Sequence, residues 1–252
     1  MITCISLGRW GRHGNQMFQY AATMSVAKHL GVSAMAPIQD TTLKDCFKLG
    51  DIISGMPTEL HGRYEQGDEF AYNERIFDLP TDKNIDLFGY FQSEKYFKHI
   101  EDAIRENYEF KDEIIEKAKA IKSDLDLKKT VSLHVRRGDY LQLSHVHPTS
   151  DVSYYDEAMT HFDGHTPVVF SDDIPWCKEN LSHLNPVFVE GNDLYTDMCL
   201  MSMCDGHIIA NSSFSWWAAW LGKGKTVAPK RWFAESGPKD WSDIYCEGWI
   251  KC

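Results

Sequence analysis

In the second half of the chain, short apolar runs alternate with longer stretches of helical periodicity. Thr130–Val135, Pro167–Phe170, Val187–Val189, His207–Ala210 and Thr226–Ala228 are short and rich in β-branched and other apolar residues, which predicts strands. Between them the pattern predicts helices near Tyr154–Phe162, Trp176–Leu184, Asp193–Cys204 and Ser215–Leu221. Strand–helix alternation with apolar strands predicts a parallel sheet covered on both faces. Ligands of such sheets bind beyond the carboxyl ends of the strands, which singles out residues 136–153, 171–175, 190–193 and 211–214.

The first half is less regular. It opens with the apolar run Ile2–Leu7, read as a strand, and a glycine-rich turn, Gly8-Arg-Trp-Gly-Arg-His-Gly14. A helix follows from about Asn15 to Leu30. Met17, Ala21, Met24 and Ala27 give it one buried face, and Gly31 closes it. Glycine and proline then interrupt the pattern up to a strand-like Asp86–Tyr90. Two more helical patterns follow, near Tyr96–Tyr108 and Asp112–Leu125. The charged segment Lys122–Lys129 reads as a linker, which gives domains of residues 1–127 and 128–252.

Composition narrows the function classes. The 252 residues carry a formal net charge of -11, and neither half is basic. That argues against nucleic acid or an anionic membrane surface as a partner. No apolar stretch approaches membrane-spanning length. The first residues lack the basic start and cleavage site of a signal peptide. Seven irregularly spaced cysteines without a Cys-x-x-Cys pair read as reduced thiols in a cytoplasmic protein. His145 and His147 have no cysteine or acidic cluster at ligand spacing, so no metal is expected.

Against this acidic background, Arg136 and Arg137 stand out. Between residues 130 and 222 the other cation is Lys178, and the window holds twelve carboxylates. Two guanidinium forks at a strand's carboxyl end, followed by Gly138, suit a diphosphate. Consecutive strand residues point to opposite faces, so one fork is expected to reach the ligand. Arg136, on the same face as His134, is the better candidate, while Arg137 pairs with Asp139 or a neighbouring acid. A structural ion-pair cluster is the competing reading.

The second anion-type feature is Asn211-Ser-Ser-Phe-Ser-Trp-Trp217, where a strand runs into a helix. Ser212, Ser213 or Ser215 serves as N-cap, and free N–H groups at that terminus suit a phosphate. A well-capped core helix is the plainer alternative. Asp172 and Asp173 either hold ligand hydroxyl or amino groups, or cap the helix begun by Pro175. Asp197 lies within the following helix. Asn15 and Gln16 at a helix start have amides for a polar ligand. Trp10, Tyr90, Phe91 and Tyr140 are candidates for a sugar-stacking platform.

Taken together, several segments resemble the alpha-1,2-fucosyltransferase family, glycosyltransferase family 11. They are Gly14-Asn-Gln-Met-Phe-Gln-Tyr-Ala21, Gly89-Tyr-Phe-Gln-Ser93, His134-Val-Arg-Arg-Gly-Asp-Tyr140, Phe170-Ser-Asp-Asp173 and Ala210-Asn-Ser-Ser-Phe-Ser-Trp-Trp217. They fall in the family's order and span nearly the whole chain. The wider superfamily includes alpha-1,6-fucosyltransferases and protein O-fucosyltransferases.

The resemblance implies an α/β, GT-B-like fold of two Rossmann-type domains, with the nucleotide-sugar site in the C-terminal domain facing the interdomain cleft. It implies an inverting, metal-independent transfer of L-fucose from GDP-fucose to the 2-hydroxyl of a galactoside in a glycan. GDP-fucose is then a substrate and no cofactor is needed. The setting would be the cytoplasm, at the inner face of a membrane where the glycan substrate resides. Arg136 would hold the β-phosphate, with His134 beside the nucleotide. Ser212, Ser213 and the Phe214 amide would meet the phosphates, and Asp197 the guanine. Asn15 would lie near the transferred sugar. Arg137, Asp139, Asp172 and Asn211 complete the expected binding set.

Proton acceptors for the incoming hydroxyl are Asp139, His145, His147 and Asp151, of which His147 stands where relatives often carry a histidine. Two alternatives stay open there: a histidine that only lines the acceptor cleft, and a departing phosphate that takes the proton itself. Gly11-Arg-His-Gly-Asn-Gln16 departs from the family's Gly-Gly-Leu-Gly-Asn-Gln on the acceptor side. Rival functions are the same fold with another linkage or GDP-sugar, and a non-catalytic nucleotide-sugar or glycan-binding protein.

Overall fold

The computed structural model describes residues 1–67 and 70–252. It divides into two compact units: Met1–Lys111 with Lys239–Cys246, and Asp112–Pro238 with Glu247–Cys252. This division falls before the helix Asp112–Leu125, not after it. Ile114 and Ala118 of that helix are buried, and the Lys122 ammonium donates to the Met203 carbonyl in the second unit. The segment 239–246 returns to the first unit, where Asp243 accepts from the Tyr72 N–H at 2.8 Å.

The first unit contains, in order, β1 (Ile2–Thr3), α1 (His13–Leu30), β2 (Ala34–Ala36), α2 (Leu43–Cys46), β3 (Ile53–Ser54), β4 (Gly62–Glu65), β5 (Ile85–Phe88) and α3 (Glu101–Asn107). Its strands form a parallel sheet in the order β3-β2-β1-β5-β4. The chain leaves β1 toward β2 on one side and returns through β4 and β5 on the other. The β1/β5 boundary is therefore a topological switch point, where ligands of open parallel sheets bind.

Three expectations change here. β1 is shorter than the apolar run, because the Ile5 N–H turns to the buried Asp86 carboxylate at 2.9 Å and Leu7 bonds back to Cys4. α1 buries residues around its whole circumference, including Gln16, Gln19, Thr23 and Ser25, and is not one-faced. The expected helix Tyr96–Tyr108 is two 3₁₀ turns followed by α3. Ser93 caps the first turn, and Phe97, at φ −138° and ψ 4°, interrupts the helical path.

The second unit follows with α4 (Asp112–Leu125), β6 (Thr130–Val135), α5 (Val152–Met159), β7 (Thr166–Ser171), α6 (Ile174–Asn180), β8 (Val187–Phe188), α7 (Leu194–Ser202), β9 (Gly206–Ile208), α8 (Ser213–Gly222), β10 (Lys225–Ala228) and β11 (Ile250–Lys251). All neighbours in the order β11-β10-β9-β6-β7-β8 are parallel. Every residue of β6 is buried, as a central parallel strand requires. Val131, Leu133 and Val135 pack with Tyr154, Tyr155, Val169 and Ile208 in one core cluster. The switch point lies between β6 and β9, so residues 136–140 and 211–214 emerge side by side at the ligand edge.

Candidate functional site

At the carboxyl end of β6, His134 is buried against Phe214, with ring centroids 5.8 Å apart. Its Nδ1 has no hydrogen-bond partner among the described residues. Burial, helped by the nearby Arg136 charge, pushes its pKa down to about 3, so the ring is neutral at neutral pH. Arg136 is gripped by two acids. One guanidinium nitrogen bonds Asp139, and Nη1 lies 2.8 Å from Asp172 Oδ2. Its guanidinium stacks 5.3 Å over the Tyr140 ring.

Arg137 turns the other way. Its Nε donates to Asp173 at 3.0 Å, and its guanidinium lies 4.2 Å over the Trp176 ring. The arginines therefore diverge, but Asp139 pairs with Arg136, and the acid beside Arg137 is Asp173. The short turn Gly138–Leu141 is what folds Asp139 back under Arg136. Asp172 also accepts the Arg137 backbone N–H at 2.9 Å. A Cβ on Gly138 would sit 2.4 Å from Asp172 Oδ2, so any side chain there would push the Asp172 carboxylate away from the arginines. Of the two acids after β7, Asp173 caps α6 through the Trp176 N–H, while Asp172 stays with the arginines.

On the β9 side, Ser212 caps α8 by accepting the Phe214 N–H. Ser213 and Phe214 are half-buried in the first turn. The Asn211 amide is spent on the scaffold, donating to the Pro148 and Trp232 carbonyls at 3.0 and 2.9 Å. Its own carbonyl accepts from the Tyr140 hydroxyl at 3.1 Å, which ties the arginine loop to the serine turn. Asn211 thus holds three loops together, a use that sequence reasoning missed.

His147 stacks on the far side of this tie, nearly parallel to Tyr140 with centroids 4.6 Å apart. Its Nδ1 is buried without a partner among the described residues. Burial lowers its pKa, opposed by Asp139. Asp151 is engaged as the cap of α5, and His145 is exposed. Asp197, in the first turn of α7, accepts from Asn192 of the preceding loop at 3.0 Å, and burial raises its pKa.

At the first unit's switch point, amide side chains gather around the start of α1. Gln16 is internal, accepting from the Thr42 N–H and hydroxyl at 3.0 and 2.9 Å and donating to the Gly11 carbonyl. That removes it as a ligand contact. Asn15 Oδ1 accepts from Gln92 Nε2 at 2.7 Å. Phe91 is fully buried, so it belongs to no sugar platform. Trp10 is 50% exposed and packs against Phe88.

A family model described as glycosyl transferase family 11 matches residues 5–252. The chain belongs to this family. Within it, 165 residues are 38% identical to an Escherichia coli alpha-1,2-colitosyltransferase, an alignment covering 60% of this chain and 57% of that protein. Human galactoside alpha-(1,2)-fucosyltransferase 1 is 31% identical over 244 residues, covering 86% and 65% respectively. The chain thus spans less than two thirds of the length of these relatives.

Among solved structures, fucosyltransferase NodZ from Bradyrhizobium aligns with a TM-score of 0.57 at 12% identity over 86% of this chain and 91% of its own. POFUT1 in complex with GDP-fucose aligns at 0.53 and 15% identity over 95% and 96%. The fold of this family 11 member is accordingly α/β with two parallel sheets, GT-B-like as in those enzymes. Among its described residues, no helix is long and apolar enough to cross a membrane.

Proposed function

We propose that this family 11 member transfers L-fucose from GDP-fucose to the 2-hydroxyl of a galactoside, inverting the anomeric carbon without a metal. One observation carries the reading: Arg136, braced by Asp139, Asp172 and Tyr140, stands beside the capped N-terminus of α8 at the β6/β9 switch point. Breaking the bond from sugar C1 to diphosphate builds negative charge on the β-phosphate. A preorganised guanidinium and helix N–H groups stabilise that charge most as the bond breaks. In this reading Arg136 exchanges carboxylate for phosphate, and Ser212, Ser213 and the Phe214 N–H take the remaining phosphate oxygens.

Neutral His134 lines the nucleotide, and Asp197 receives the base. Asn15 hydrogen-bonds the transferred sugar. His147, kept neutral by burial, accepts the acceptor proton. Arg137, Asp139, Asp172 and Asn211 act through the arginine loop and its ties. The seven free thiols, six of them buried, support a reducing, cytoplasmic setting at the inner membrane face where the glycan is built.

A second reading has one specific observation behind it. The relative named alpha-1,2-colitosyltransferase shares 38% identity over its matched region. The transferred sugar would then be colitose, with the alpha-1,2 linkage kept. Incubation with GDP-fucose and lactose in the presence of EDTA tests both, with GDP release and 2'-fucosyllactose as the expected products. Transfer from the colitose donor alone would favour the second reading. GDP-fucose bound, with no hydrolysis or transfer from it or from the colitose donor to any galactoside, would overturn both in favour of a binding protein.

A further inference from the structure

The loop after β5 holds a strained residue beside Asn15. Phe91 is fully buried and adopts φ +53°, a left-handed conformation that a bulky residue rarely takes. Gln19 Nε2 holds the start of the turn through the Gly89 carbonyl at 3.0 Å, and Gln66 clamps its centre. Gln66 Oε1 accepts both the Tyr90 and Phe91 backbone N–H groups, at 3.0 and 2.9 Å. Gln66 reaches in because Gly89 has no side chain: a Cβ there would lie 2.5 Å from Gln66 Cβ. Such strain persists where the surroundings over-determine it, and it collects at working sites.

The residue that this turn delivers is Gln92. Its side chain is buried, and its Nε2 donates to Asn15 Oδ1 at 2.7 Å. Among the described residues this is the hydrogen bond that fixes the Asn15 side chain, and it occupies the amide's acceptor.

We infer that Gln92, aimed by the Gln66-clamped turn, is a positioning residue that sets the amide orientation of Asn15. Asn15 then offers its Nδ2 donors, and not its carbonyl, to hydroxyl or ring oxygens of the sugar. The inference rests on the role proposed above for Asn15 and deepens it. Sequence spacing does not show it, because the two residues are 77 positions apart.

Gln92→Glu tests it, since a carboxylate of the same shape accepts where Gln92 donates and turns the Asn15 amide over. The expected result is a kcat lower by roughly tenfold to a hundredfold, the range for a misplaced group, with GDP affinity unchanged by calorimetry. The double variant with Asn15→Ala is expected to be no slower than Asn15→Ala alone, because residues acting as a unit are not additive. Should Gln92→Glu fail to fold, Gln92→Met, which fills the space without donating, carries the same expectations. Full activity of the folded Gln92 variants beside a crippled Asn15→Ala overturns this inference and leaves the Asn15 role standing. Multiplying losses in the double variant do the same. Full activity of Asn15→Ala overturns the Asn15 role and this inference with it.

Discussion

The two units share a plan, a parallel sheet with a switch point beside its first strand, yet arm that point differently. In the second unit the switch point is charged and braced: Arg136 is held by Asp139, Asp172 and the Tyr140 face, and Arg137 by Asp173 and Trp176. In the first, ion pairs lie in the strands and the glycine loop (Asp86 with Arg63, Asp40 with Arg9), while a chain of amides runs from Gln66 through the Phe91 turn and Gln92 to Asn15. Under the transfer proposed above, the difference is a division of labour. Leaving-group charge calls for fixed cations and dipoles. Orienting an uncharged sugar calls for donors whose direction is set.

The comparison breaks most visibly at Arg136. Removing one such electrostatic donor typically raises a barrier by about 3–4 kcal/mol, so Arg136→Ala is expected to lose roughly two to three orders of magnitude in kcat. Arg136→Lys keeps a charge but not the two-pronged grip on Asp139 and Asp172, and recovers only part of the loss. Near-normal steady-state turnover by the alanine variant would show that the charged switch point does not hold the leaving group.

A smaller effect is expected at Gly138. An added methyl would press on Asp172 Oδ2 at 2.4 Å, and Asp172 would have to release the Arg137 N–H or the Arg136 guanidinium. Overpacking of this kind costs about 1–3 kcal/mol of folding stability, so Gly138→Ala is expected to lower the denaturant midpoint of unfolding accordingly. An unaltered midpoint would mean that the Asp172 brace yields to the methyl without loss.

The same contrast governs how much was legible in the sequence. The second unit's strands were readable because β6 and β7 are long runs buried on both faces, where apolar composition and strand structure coincide. In the first unit β3 and β4 are short and largely exposed, and Gly-Arg-Tyr-Glu carries no alternation to detect. β11 is two residues long and is held by its parallel pairing with β10.

Among site residues, Arg136 was visible because cations are scarce around it, and Ser212 because a serine before an apolar helix is a capping signal. The Asp139 pairing depends on how four residues fold into a 3₁₀ turn, which spacing does not set. Gln92 and the scaffold role of Asn211 arise from contacts between segments far apart in sequence. A single sequence carries no periodic trace of such contacts.

Acid sharpens the comparison most finely. His134 and His207 in the second unit are buried and pushed by burial to about 3 and about 4, and His13 in the first to about 3. Their ordinary value is 6.5, so as pH falls below it the unfolded chain takes up protons that the folded rings refuse. Stability is therefore full above that value. It declines by up to about 1.4 kcal/mol per pH unit for each ring, until the folded value is reached. One carboxylate in each unit works in the opposite sense, Asp86 in the first and Asp197, raised by burial, in the second. Burial raises Asp86 despite the Ile5 N–H and Arg63, and Asp197 despite Asn192, so as pH falls each folded carboxylate gains its proton before the unfolded chain does. His99 and His147 are also lowered, one in each unit, and being more exposed they add smaller terms. With two strongly lowered buried rings against one, the second unit should lose stability with acid more steeply than the first. Hydrogen exchange between about pH 4.5 and 6.5 measures this, comparing the amides of β6 and β9 with those of α1. His207→Gln, which can still bond Ser132, is expected to flatten the second unit's slope by one ring's share. Equal slopes in the two units, or no change in that variant, would show that the buried rings do not set the acid limit.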